Sequence, residues 1–344
     1  MITIAQPQHP QVSMCGMKTP LANNQGASEQ TALLQNIDLS ALQQSHANLY
    51  DCGKQVVEQN KHLLASPPSE PSLPGFHSTS SADFEAVLVD SKRLARNFNL
   101  SDDDYMAMGR SLMVMRRSLV RAPENQSLPH INALENLIKS IHTDYQQTYA
   151  KINEKAAEFM KDANTAVGKI SDFIKAGNEA GKVHFKPQAF LESLDKTFAK
   201  YTNYTVGSVN DYKKWSPDDN STKPIYTFKG DDAAFNFWQR KLGDGYIVKQ
   251  SGSDGKIQIL PNLSAIRNIY SSIANSDSKW VGSDMSSTSF QSLQSAIDSQ
   301  KNTINSSVSQ LLERFRQDNS TFETLVQLLQ QMTQDLYRYN ANYF

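Results

Sequence analysis

The chain is poor in cysteine, in charge of either sign to excess and in long apolar runs, and each shortage closes off a class of protein. Its only cysteines, Cys15 and Cys52, lie near the N-terminus, so no disulfide can staple the remaining body. They form no CxxC and no zinc spacing, and free thiols are the favoured reading over a bridge between them. The formal net charge of -1 gives no electrostatic case for nucleic acid or an anionic membrane. No run approaches the ~18 apolar residues that cross a bilayer, and MITIAQPQHPQV has neither the basic n-region nor the apolar core of a cleaved signal. Hydrophobic residues make up 39% and the mean hydropathy is -0.53, which suits an elongated or partly disordered molecule better than a compact enzyme of this length.

Catalytic and metal signatures are missing too. The seven histidines include no pair at helical spacing and no HExxH. GxSxG, GxxxxGK[ST] and GxGxxG do not occur, and SGSDGK at 251–256 sits between strand-like runs as a hairpin turn would. The acidic runs at Asp102–Asp104 and Asp231–Asp232 read first as helix starts. The expectation is a protein with no enzyme activity, no cofactor and no metal.

Glycine and proline are absent from Ser283 to Phe344, and a heptad fills that stretch. One row reads Phe290, Ile297, Ile304, Leu311, Asp318, Leu325 and Met332; the row four ahead carries Val308, Phe315, Phe322, Leu329 and Leu336. A seven-residue apolar repeat of this length predicts a long helix that needs a helical partner. Upstream, Ile138, Tyr145, Ile152, Phe159, Ala166 and Phe173 recur every seven in a helix expected over about 131–175, roughly 70 Å at 1.5 Å per residue. Pairing the two gives an antiparallel intramolecular coiled coil, whose expected seam is Ile138, Tyr145, Ile152 and Phe159 against Ile304, Val308, Leu311, Phe315 and Phe322.

The predicted fold is therefore mostly α: that coiled coil, an N-terminal helical hairpin and a small α/β insert between the arms. Residues 1–30 read as disordered, 31–122 as the hairpin, 130–178 as the first coiled-coil helix, 179–285 as the insert and 286–344 as the second helix and tip. Within the hairpin a Pro/Ser linker is expected over 66–81, and Ser101 with Asp104 reads as a capping box opening a second helix. In the insert, strands are expected at 183–185, 246–248 and 257–260, loop at 203–224, and Trp215 and Trp280 as core or crevice residues.

The layout resembles the type III secretion needle-tip proteins of the IpaD/SipD/BipD family. NLIKSIHTDYQQTYAKINEKAAEFMKDA (136–163) is similar to that family's first coiled-coil helix, AAFNFWQRKLGDGYIV (233–248) to its Trp-bearing helix and strand, and SQLLERFRQDNSTFETLVQLLQQMTQ (309–334) to its closing helix. The longer polar loop around 205–224 and the aromatic C-terminus depart from the pattern.

The resemblance implies a secreted protein, cytoplasmic before export, that sits on the bacterial surface at the needle tip. It would cap the needle as a ring of about five copies, control secretion and support translocator pore assembly on host contact. Its implied partners are the needle subunit, the translocator proteins, further copies of itself and bile salts, without nucleic acid or a membrane span. The disordered N-terminus would carry the export signal and the hairpin would act as a built-in chaperone. Needle docking and oligomerisation are assigned to Leu325, Leu329, Met332, Leu336 and Tyr337, and a bile-salt crevice to Phe237, Trp238 and Tyr246. A secreted helical effector or toxin acting on host membranes is the alternative.

Overall fold

The structure is a computed structural model describing residues 38, 40–43, 49–63, 84–119, 128–204, 209–251 and 255–341. The segment 1–30, expected to be disordered and to carry the export signal, the 66–81 linker and Cys15 lie outside those residues.

The described chain is mostly helical. Helix α1 spans Leu49–Asn60 and α2 spans Phe84–Leu119. Helix α3 (Leu128–Ser140) runs through one π-helical stretch, Ile141–Gln146, into α4 (Gln147–Gly168). A 3-10 turn over Lys169–Phe173 leads to β1 (Ile174–Ala176), which pairs with β2 (Lys182–Phe185). Then come α5 (Pro187–Phe198), α6 (Val209–Lys213), β3 (Tyr226–Lys229), α7 (Asp232–Leu242), β4 (Tyr246–Ser251), β5 (Lys256–Pro261), α8 (Ser264–Ala274) and β6 (Ser283–Ser286). Helix α9 closes the chain as one element, Ser287–Ala341.

Among the described residues two three-stranded antiparallel sheets form, in the orders β1-β2-β6 and β3-β5-β4. Asp231 starts α7 as expected: its Oδ1 accepts the Ala234 N–H at 2.8 Å. The turn between β4 and β5 closes on Gly255 at φ 61°, a left-handed position that glycine takes without strain.

Three local expectations are corrected. Ser101 lies inside α2, not at a helix start, because apolar contacts on both sides of it carry the helix through. The helix expected to reach 175 stops at Gly168, since Ile174–Ala176 is taken up as a strand by β2. The stretch 203–224, expected as loop, holds the short α6, and β3 and β6 are strands that were not expected.

The chain divides into two compact units. One contains residues up to 69, 103–145 and 320–344; the other contains 70–102 and 146–319. In the larger unit, α4 and α9 pair antiparallel. Tyr149 meets Phe315 edge-on at 5.0 Å, and Asn164 meets Asn305, so residue numbers rise along one helix as they fall along the other. Ile152, Phe159, Ile304, Val308, Leu311 and Phe315 are all buried there. In the smaller unit Ile138, Tyr145 and Phe322 are buried.

Candidate functional site

The smaller unit holds most of the residues assigned to docking. Leu325, Leu329 and Met332 on α9 are 0%, 1% and 1% exposed. Leu336 and Tyr337 lie on the same helix, with side chains outside the description. What covers Leu325 is α1. A Cβ built on Gly53 would stand 2.9 Å from Leu325 Cδ1 and 2.7 Å from Ile141 Cδ1, so the glycine lets α1 seat directly on α3 and α9. Next to it, Cys52 is fully buried and its Sγ lies 3.4 Å from the Ala41 carbonyl. Tyr50 packs on Tyr145, and Asn60 is held by the Asp38 and Val56 carbonyls. From α2, Tyr105 stacks on His142 at 4.6 Å, and both rings contact Phe322.

In the larger unit the seam turns polar around Asp318. Lys241 Nζ reaches Asp318 Oδ1 at 2.7 Å, and Gln146 donates to the Asp318 carbonyl at 3.3 Å. Arg314 Nη1 donates to the Lys241 carbonyl at 2.6 Å and so caps the C-terminus of α7 from α9. Gly243, at φ 64°, leaves room for that guanidinium, since a Cβ there would meet Arg314 Nη1 at 2.6 Å. Burial, with the Asp318 carboxylate beside it, pushes the Tyr149 phenol well above its usual range. Gln146 Oε1, Tyr149 Oη and both amide atoms of Asn153 are buried without a protein hydrogen-bond partner. They fall three and four residues apart, on one helix face.

Phe237, Trp238 and Tyr246, assigned to a crevice, are core residues of the insert. Trp238 is fully buried and meets Tyr149, Phe228 and Phe237 edge-on. An open groove of about 600 Å³ does lie beside this core, lined by Gly243, Gly245, Ser299, Thr303, Ser307 and Arg314. Its lining is hydroxyl-rich, and none of the three assigned aromatics belongs to it. Trp215 is buried, stacked on Tyr270 at 4.4 Å, and Trp280 rests half-buried on Tyr212. The Tyr212 and Tyr270 hydroxyls both donate to Asp195, at 2.6 and 2.9 Å, and burial raises that carboxyl.

These features define a helical scaffold protein whose singled-out residues are packing residues; no cluster able to hold a metal occurs among the described residues. The chain belongs to the family of type III secretion systems tip complex components, whose model matches residues 125–334. It is thus a component of a secretion-system tip, from a family of structural rather than catalytic proteins. No described helix is long and apolar enough to cross a membrane. No curated protein matches the sequence.

Among solved structures, BipD of Burkholderia pseudomallei is 15% identical, covering 84% of this chain and 81% of its own, at a TM-score of 0.45. A second BipD structure, described as an invasion protein associated with the type III secretion system, matches at 15% identity over 75% of this chain and 96% of its own, at a TM-score of 0.47.

Proposed function

We propose that this protein caps the needle of a type III secretion system as a ring of about five copies, controls secretion, and supports translocator pore assembly on host-cell contact. Residues 31–122 form the self-chaperoning hairpin, 130–178 and 286–344 the coiled-coil arms and 179–285 the insert. Leu325, Leu329, Met332, Leu336 and Tyr337 dock the needle subunit and neighbouring copies. A bile salt is the small-molecule partner, with Phe237, Trp238 and Tyr246 forming the wall behind its crevice.

One observation carries the reading: the docking leucine Leu325 lies under the glycine face of α1. An apolar stripe covered by a segment of the same chain is exposed only when that segment leaves, so intramolecular and intermolecular burial compete.

The test is Gly53→Val. The added isopropyl group against Ile141 and Leu325 overpacks the contact by about 1–3 kcal/mol and loosens α1. The variant should bind purified needle subunit more tightly than wild type, or oligomerise where wild type stays monomeric. Equal binding by both keeps the docking role and removes the masking. Binding by neither overturns the proposal, and strong uptake into liposomes in its place points to the membrane-active effector.

A further inference from the structure

We propose that the turn at 279–282, in the insert, docks on an anionic lipid surface. Val281 is 77% exposed, more than any other large apolar side chain among the described residues, and Trp280 beside it is half-exposed. A lone exposed valine is ordinary on a protein surface. Here it adjoins an indole, and a clamped backbone holds the two out together. Ser278 Oγ donates to the Phe185 carbonyl at 2.8 Å and accepts the Ser283 N–H at 3.0 Å, while Ser283 Oγ accepts the Lys279 N–H at 2.8 Å. The Gly282 N–H donates to the Lys279 carbonyl at 2.9 Å, and the Gln188 N–H, in the first turn of α5, donates to the Trp280 carbonyl at 3.1 Å. Gly282 turns the chain back into β6 at φ 133°, which suits glycine. Behind the turn Trp280 leans on Tyr212, which stacks on Tyr270 of α8.

Cations gather at this tip. Lys279 belongs to the turn itself. Lys186 lies against it, its Cγ 3.0 Å from where a Cβ on Gly282 would stand. Lys213 and Lys214 follow Tyr212 at the end of α6, and both are exposed, as is Lys279. The same segments carry two carboxylates, Asp211 and Asp277, against these four lysines. The next acid along, Asp284, accepts from the Asn178 N–H and meets His184. A net charge of -1 gives the whole chain no attraction to an anionic surface, but this corner has a local excess of positive charge.

The form of the tip favours lipid over protein as the partner. Two apolar side chains supply far less than the roughly 800 Å² that each partner gives to a stable protein interface. A convex turn also offers no pocket for an anchoring side chain. A bilayer surface needs neither, because lipids mould to whatever enters them. Indole rings favour the headgroup level, an apolar neighbour reaches the acyl boundary, and lysines nearby meet anionic headgroups. The turn's backbone is suited to that layer, since the Lys279 N–H and the Lys279 and Trp280 carbonyls already have partners within the protein. The contact is shallow and peripheral, in keeping with the lack of a membrane-spanning helix among the described residues. This inference goes beyond the tip assignment and does not depend on it.

The test uses the full-length protein and vesicles of phosphatidylcholine with or without phosphatidylserine. Wild type should sediment with the phosphatidylserine vesicles, and raised salt should release it. Trp215 and Trp238 are 2% and 0% exposed, so a blue shift of tryptophan emission on binding reports Trp280. Val281→Asp should weaken binding about tenfold or more and leave the melting temperature unchanged, because that side chain stands in solvent. Lys213→Gln, Lys214→Gln and Lys279→Gln together should also cost about tenfold or more. Lys151→Gln, Lys155→Gln and Lys161→Gln on α4 change the net charge equally and should leave binding intact. No binding by wild type, binding without a blue shift, or equal losses in the two triple variants overturns the proposal. So does binding that salt does not release, which would mean insertion. Capture of a polyglutamate peptide through the same lysines, without binding to vesicles, overturns it in favour of an acidic protein partner.

Discussion

The buried Asn164–Asn305 pair allows a sharp test of how the long helices choose their register. Asn164 Nδ2 donates to Asn305 Oδ1 at 2.7 Å and to the Met160 carbonyl at 2.8 Å, and the two residues are 8% and 3% exposed. Replacing Asn305 by leucine removes the cross-helix acceptor and leaves the Asn164 amide short of a partner in an apolar seam. That should cost about 1–3 kcal/mol, and Asn164→Leu should cost a similar amount. The double variant puts two apolar groups of similar size among Ile304, Val308 and Met160, and should be close to neutral or stabilising. The coupling should exceed about 1 kcal/mol, well beyond the ~0.5 kcal/mol scatter of independent sites. The assay is urea unfolding of the full chain, read as a midpoint shift at constant slope, with hydrogen exchange on α4 amides reporting the seam directly. If the double variant falls by the sum of the two singles, the pair is not coupled across the seam and the register argument fails. If coupling is found, the more stable double variant should also exchange its helix pairing more freely, because a buried polar pair sets register at some cost in stability.

Two further outcomes follow from the insert. Burial raises the Asp195 carboxyl while the Tyr212 and Tyr270 hydroxyls oppose that rise, so its ionised form costs stability that is recovered as pH falls below its raised value. Tyr270→Phe should therefore destabilise by about 1.5–3 kcal/mol at neutral pH and by less in acid, as thermal melts across pH would show. At Asp284 the sign is reversed: the Asn178 N–H first, then His184, hold its carboxyl below the usual range. Its contribution is present above pH 3.8 and lost as pH falls through the lowered value. Asp284→Asn should remove that acid-side loss from the exchange protection of β2 and β6, leaving the neutral-pH fold in place.

The long helices were legible in the sequence because burial along a helix leaves a period. A seven-residue apolar row with no glycine or proline could only be a helix, and α9 begins at Ser287 as the row suggested. The β4–β5 hairpin showed itself through apolar runs about a glycine turn. What stayed hidden was set by tertiary contact. Ser101 carries a strong local start signal, yet α2 runs through it because Phe98 and Tyr105 on either side pack on Phe315 and Phe322. Strands β3 and β6 exist only because β5 and β2 offer edges to them. For the site, spacing grouped Leu325, Leu329 and Met332, but no pattern announces that another segment lies over them. A trace was present in Gly53, a glycine inside a helical pattern, which marks close approach of something else. Phe237, Trp238 and Tyr246 were grouped by aromatic content, which identifies a core as readily as a crevice.

The α4–α9 seam joins residues very far apart along the chain: Asn164 to Asn305 across 141 positions and Gln146 to Asp318 across 172. A polypeptide leaving a ribosome, or threading end to end through a narrow channel, delivers one helix well before the other. Until the second arrives, the first has an apolar stripe and nothing to lay it against. When the N-terminus leads, the seam zips only when nearly the whole molecule has emerged. Completion of passage is thus written into the connectivity as a clock: the protein cannot present its finished form early, however fast its separate helices wind.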